Sequence, residues 1–192
     1  TAARALAARL GFEFLDTGAM YRAVALALLR AGIDFADEQR VVPFIAGLRI
    51  EMPPGRIILD GEDVSTTIRT PELAAASSRV AAFGYVRRFL VEQQRAIALG
   101  RSLVCEGRDQ GTVVFPKAEC KFFLTASASS RARRRFNEMR SRGLAVELET
   151  VLAEQEERDR RDTSRADDPL RPADDAVVID SSDMTIDEVL AR

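Results

Sequence analysis

The 192-residue sequence predicts an α/β protein: a parallel sheet with flanking helices. Three observations carry that expectation. Short apolar runs of strand length recur at Phe12 to Leu15, Arg101 to Cys105, Lys121 to Leu124 and Ala176 to Asp180. Helix-patterned stretches separate them, and buried strands alternating with helices pair in parallel. The loops after the first two runs, Asp16-Thr17-Gly18 and Glu106-Gly107-Arg108-Asp109, carry charge and glycine at strand ends, where open α/β sheets bind ligands.

Taken in order, Thr1 to Leu10 is alanine-rich with Leu6 and Leu10 four apart, a helix without an N-terminal cap that Gly11 stops. The run from Phe12 leads into Asp16-Thr17-Gly18, and Ala19 to Ala31 is helical until Gly32. Leu48 to Leu59, with Pro53-Pro54-Gly55 at its middle, reads as a small hairpin followed by the turn Asp60-Gly61, an excursion from the main sheet. Glu156 to Pro172 is almost entirely charged and is closed by Pro169 and Pro172. A solvated helix end and loop is one reading of it, and a mobile closing segment is another.

Composition narrows the chemistry. The 28 basic and 30 acidic residues nearly cancel, which leaves no overall field for nucleic acid or an anionic membrane, so any anion site is local. With no histidine and no tryptophan, imidazole bases, histidine-containing metal sites and Ser-His-Asp triads are excluded. Cys105 and Cys120 lie in apolar runs and read as buried free thiols in a reducing cytoplasm. No apolar run approaches a membrane span, and a soluble protein is expected.

Arginine supplies nearly all the positive charge, and its planar fork suits phosphate and carboxylate. Arg22 lies just past the first strand end, and Arg108 beside Asp109 at a second. The latter pair either closes a strand-to-helix turn or contacts a ligand. Arg158, Arg161, Asp162 and Arg165 fall at helical spacings of three and four, which puts them along one face if the segment is helical. Arg158 and Asp162 either pair with each other at the surface or belong to a lid closing over phosphates.

Four stretches, FLDTGAMYR at 14–22, EDVSTTIRTPELAAASSRVAAF at 62–83, EGRDQGTVVFP at 106–116 and ERDRRDTSRADDPL at 157–170, make the whole chain resemble the bacterial cytidylate kinases of the P-loop nucleoside monophosphate kinase group. The resemblance implies a five-stranded parallel sheet, a monophosphate-binding insert containing the hairpin, and an arginine-rich lid. The corresponding divisions are core at 1–40, insert at 41–86, core at 87–155, lid at 156–172 and core again at 173–192. It implies transfer of the ATP γ-phosphoryl group to CMP and dCMP with Mg2+, by a cytoplasmic monomer that needs neither nucleic acid nor membrane. The competing readings are a kinase of UMP or AMP and a nucleotide-binding module without catalysis.

Residue by residue, the resemblance implies that Thr17 and Arg22 approach the CMP phosphate side, that Ser78, Arg87 and Asp109 recognise cytosine, and that Arg158 and Asp162 recognise ribose. Arg108 and Arg165 would contact phosphate, and Arg108, Arg158 and Arg165 would carry catalysis. Arg131 and Arg135 would approach ATP, and Thr1 aligns with the threonine just after the lysine and glycine of the phosphate-binding loop. No dedicated metal-ligand set is expected. Glu106 departs from the usual aspartate of this family by one methylene. The glycine-rich GxxxxGK[ST] loop does not occur in the sequence, so upstream residues carrying that loop and a central first strand are expected.

Overall fold

The computed structural model describes residues 1–165 and 168–192. Helix α1 (Ala2–Leu10) ends at Gly11, whose φ of 67° is the left-handed conformation glycine tolerates best. Contrary to the expectation of an uncapped start, the Thr1 hydroxyl caps α1 by accepting from the Arg4 N–H. Strand β1 (Glu13–Asp16) then runs straight into α2 (Thr17–Arg30), because the Asp16 carboxylate accepts from the Ala19 N–H and starts the helix at once. Helix α2 is the centre of the molecule: its small and aliphatic residues from Ala19 to Leu28 are buried on nearly every side except near Tyr21 and Arg22.

The insert follows as α3 (Glu38–Ala46) and an antiparallel sheet of β2 (Ile50–Glu51), β3 (Ile58–Leu59) and β4 (Glu62–Asp63). The hairpin is therefore present, with a third strand beyond the Asp60-Gly61 turn. A 3-10 turn (Thr67–Arg69) leads to α4 (Pro71–Val80), which has Thr70 as its cap and proline at its first position. Ile45, Ile50, Ile57, Leu59, Val64 and Ile68 pack with α2 and with α5 (Gly84–Ala98) into one core.

Strand β5 (Leu103–Glu106) pairs in parallel with β1, Glu13 opposite Leu103 and Asp16 opposite Glu106. That register sets the two charged strand ends side by side. A short π-helical turn (Gln110–Val114) follows, and Arg95 of α5 donates to the carbonyls of Val113 and Val114 at its end. Strand β6 (Phe122–Thr125) pairs in parallel with β7 (Val177–Asp180). Between them α6 (Ala128–Ser141) packs on α7 (Leu148–Thr163) over a small second core of Ala132, Met139 and Val151. Helix α8 (Ile186–Ala191) closes the chain with a capping box from Thr185 and Glu188.

The α/β class, the parallel pairing and the insert sheet agree with expectation. Among the described residues the parallel strands form two separate pairs, because no ladder joins β5 to β6. One further expectation is corrected. Cys120 is exposed, since it falls in the loop before β6, although Cys105 is partly covered; both are free thiols. The charged segment from Glu156 begins inside a helix. Helix α7 continues through it to Thr163, and Asp162 is buried, because arginines neutralise it. Ala166 and Asp167, inside the expected lid, lie outside the described residues. No described helix is long and apolar enough to cross a membrane.

Candidate active site

Two side-chain clusters lie at the ends of β1 and β5. The first is centred on Asp162. Its carboxylate receives Arg165 Nη2 at 2.5 Å and Arg108 Nε at 3.0 Å, with Arg158 Nε at 3.8 Å. A buried carboxylate needs such company, since stripping its partners would leave an unpaired buried charge. The surface pair Arg158–Asp162 is thus only one side of a hub that ties α7 to the β5 loop. Three cations on one anion leave positive charge in excess. Arg158 feels it most: burial first, and then repulsion by Arg108, push its pKa down to about 10, with Asp162 opposing and Arg22 adding to the fall. A phosphate would relieve that repulsion.

The second cluster surrounds Arg87, which is 3% exposed and contacts Asp109 at 3.6 Å and, more closely, Asp168. The hydroxyl of Tyr21 faces the same guanidinium, and burial, followed by the charge of Asp109, raises the tyrosine pKa above its ordinary value. Buried donors and acceptors of both kinds therefore converge, as recognition of a heterocycle edge requires. Ser78, near the end of α4, has a buried hydroxyl with no hydrogen-bond partner among the described residues. Native interiors rarely leave such a group unsatisfied without a reason.

Between the clusters lies the β1–α2 junction. Arg22 reaches Asp16 at 3.4 Å, and its pKa is lowered, chiefly by burial, with Arg69 and Arg135 repelling it further. Thr17 is committed elsewhere: its buried hydroxyl donates to the Glu106 carbonyl at 2.7 Å and pins α2 to β5. The backbone must come this close at Gly107, where a Cβ would lie 2.6 Å from both the Thr17 hydroxyl and the Gln110 amide. Gly107→Ala is therefore expected to cost about 1 to 3 kcal/mol of stability, as overpacking does, and to disturb the adjacent Arg108 and Asp109. A urea midpoint measured beside the parent protein checks this.

On the other side, Arg131 donates to the Ala126 carbonyl at 2.9 Å and pairs with Asp159 of α7, while Arg135 pairs with Glu138 at 2.9 Å. The Thr1 hydroxyl donates to the Glu106 carboxylate at 2.8 Å. The structure thus brings together Arg108, Arg158, Asp162 and Arg165, and separately Arg87 and Asp109. Among the described residues it shows no hydrogen bond or ion pair from Ser78, Arg131 or Arg135 to either group. Sequence reasoning passed over Tyr21, Asp168, Asp159 and Arg69. The one available signal was Tyr21, an aromatic side chain between the Asp16 loop and Arg22.

Known proteins match this chain along its whole length. The family model described as cytidylate kinase covers residues 1–192. The cytidylate kinase of Vibrio cholerae is 50% identical over 191 residues, 97% of this chain and 85% of that protein. That of Aliivibrio salmonicida is 48% identical over 191 residues, again 97% and 85% of the two chains. That of Aeromonas salmonicida is 47% identical over 195 residues, 100% of this chain and 85% of the relative. With its strand-end arginines and buried polar cluster set beside this likeness, the chain belongs to the cytidylate kinase family.

Proposed function

We propose that this protein transfers the γ-phosphoryl group of ATP to CMP and dCMP, giving ADP with CDP or dCDP. The observation that carries the reading is the excess of guanidinium charge at the strand ends, where burial first, and then neighbouring arginines, lower the pKa of both Arg22 and Arg158. Phosphoryl transfer asks for alignment and charge neutralisation more than for proton transfer, so a chain without histidine suffices. A CMP phosphate oxygen attacks the γ-phosphorus, the bond to the β–γ bridging oxygen breaks, and ADP leaves with that electron pair.

In this reading Arg22 and Arg108 grip the acceptor phosphate, and Arg158 and Arg165 spread over the oxygens that gain charge in transit. Asp162 is the acceptor for the ribose hydroxyl while it holds these arginines in place. Cytosine offers an amine that Asp109 accepts and a carbonyl and ring nitrogen to which Arg87 donates, with the unsatisfied Ser78 hydroxyl as a third contact. Thr17 supports the phosphate side through its bond to β5. Arg131 and Arg135 face the donor nucleotide. The Thr1 hydroxyl and Glu106 carboxylate, already in contact, suit a magnesium ion that keeps waters and takes its other oxygens from phosphates. When bound, magnesium supplies charge neutralisation on the donor phosphates. No group of three or more acidic or thiol side chains among the described residues is arranged to hold a metal.

The insert at 41–86 would carry the acceptor, and residues 156–172 would close as a lid. Hydrogen exchange of this segment is expected to slow markedly when CMP and a non-hydrolysable ATP analogue are added together; protection already complete in the empty protein would refute closure. A monomer suits the reading because every proposed contact comes from one chain. A reducing cytoplasm suits the exposed free thiol of Cys120. The direct test is coupled ADP release with CMP, dCMP, UMP and AMP in parallel. Turnover of CMP at least tenfold above UMP and AMP is expected, and binding of CMP without any ADP release would mark the chain as a non-catalytic module.

A further inference from the structure

We infer that Asp16 is a positioning residue that holds Arg22 and Arg69 as one anion-gripping pair, and that Arg69 is a further contact for the acceptor phosphate. The two carboxylate oxygens have different duties. Oδ1 accepts from the Ala19 N–H at 2.9 Å and caps α2. Oδ2 accepts from Arg22 Nη2 at 3.4 Å and from Arg69 Nη2 at 3.0 Å. Two cations from different parts of the chain thus meet on a single oxygen, Arg22 from the central helix and Arg69 from the 3-10 turn of the insert.

Left to themselves these guanidiniums would part, because Arg69 already repels the desolvated Arg22, and Asp16 is the foremost charge opposing that repulsion. Each arginine spends one N–H on Asp16 and keeps its others for a ligand. The Nε of Arg22 is buried and has no partner among the described residues, as expected of a donor held back for something not yet bound. Gly18 makes room for the arrangement: a Cβ there would lie 3.3 Å from both Arg22 Nη1 and Asp16 Oδ1. Because Arg69 belongs to the insert, the same carboxylate also ties insert to core. An arriving phosphate therefore meets a preformed pair in place of two mobile side chains.

The bland alternative is that Asp16 only caps a helix. Asparagine separates the two duties, since it caps as well as aspartate but carries no charge to hold the arginines. The inference rests on the cytidylate kinase reading, so the experiment reads binding and turnover separately. Calorimetric titration of the full chain with CMP and with cytidine, which lacks the phosphate, is run on the parent, Asp16→Asn, Arg69→Ala and the double variant, beside their melting temperatures.

Asp16→Asn is expected to leave the melting temperature unchanged, to weaken CMP about tenfold as loss of a charged hydrogen-bond partner does, and to leave cytidine unaffected. Arg69→Ala is expected to do the same, with the double variant little worse than either, since both act on one pair. Equal weakening of CMP and cytidine, additive losses, or unchanged CMP binding would each overturn the positioning role. So would a parent that does not bind CMP. A parent that binds CMP with the expected variant pattern yet releases no ADP would defeat the kinase reading alone.

Discussion

Arg158→Ala is expected to lower kcat/KM for CMP by about 10³, the scale seen when an arginine that stabilises a phosphoryl-transfer transition state is removed. The residue is half-buried on α7, lies 3.8 Å from Asp162, and sits against the repulsion of Arg108 and Arg22. A purely structural arginine in that position would be poorly placed, and its loss would even relieve the repulsion. The loss should fall on kcat more than on KM, because only the transferring group presents the extra charge. Arg158→Lys should recover little, since an ammonium cannot reproduce the planar fork. Steady-state kinetics with ATP saturating checks this. A loss below about threefold, comparable with that of the exposed Arg160, would remove Arg158 from the catalytic set.

Asp109→Ala is expected to lower kcat/KM for CMP by roughly 10- to 100-fold, corresponding to about 1 to 3 kcal/mol for a buried polar partner left unpaired. UMP should lose much less. Uracil presents a carbonyl where cytosine presents an amine, so the carboxylate of Asp109 offers it nothing to lose. Arg87 keeps Asp168 as a partner in this variant, so the guanidinium is not stranded. Asp109→Asn, which conserves shape and can still accept a hydrogen bond, should fall between the two. Equal small losses for CMP and UMP would exclude Asp109 from base recognition, and a lowered melting temperature would reveal a mainly structural part.

The sequence by itself determined the α/β class, most strand positions to within a residue or two, the hairpin of the insert, and the arginine-bearing loops at 16–22 and 106–109. These rest on patterns only a few residues long: apolar runs, glycine stops and charges just past a strand. Even so, two local features escaped. Thr1 was not recognised as a cap because its hydroxyl turns back onto the first turn of α1, and β4 was missed because both of its residues are exposed acids with no apolar alternation. The Arg158–Asp162 pairing was legible as an i, i+4 contact.

Tertiary structure alone decided that Asp162 also holds Arg108, 54 positions away, and that Arg87 meets Asp168 across 81 positions. It likewise brought Arg69 to Asp16 across 53 positions and made the charged end of α7 a buried junction. The reason is physical. A local pattern reports which residues share one turn or one strand end, whereas an ion pair between distant segments depends on strand register and on which helices cross. The parallel register that sets Asp16 opposite Glu106 is chosen by the burial of whole strands and helices, and no short stretch of sequence contains that choice.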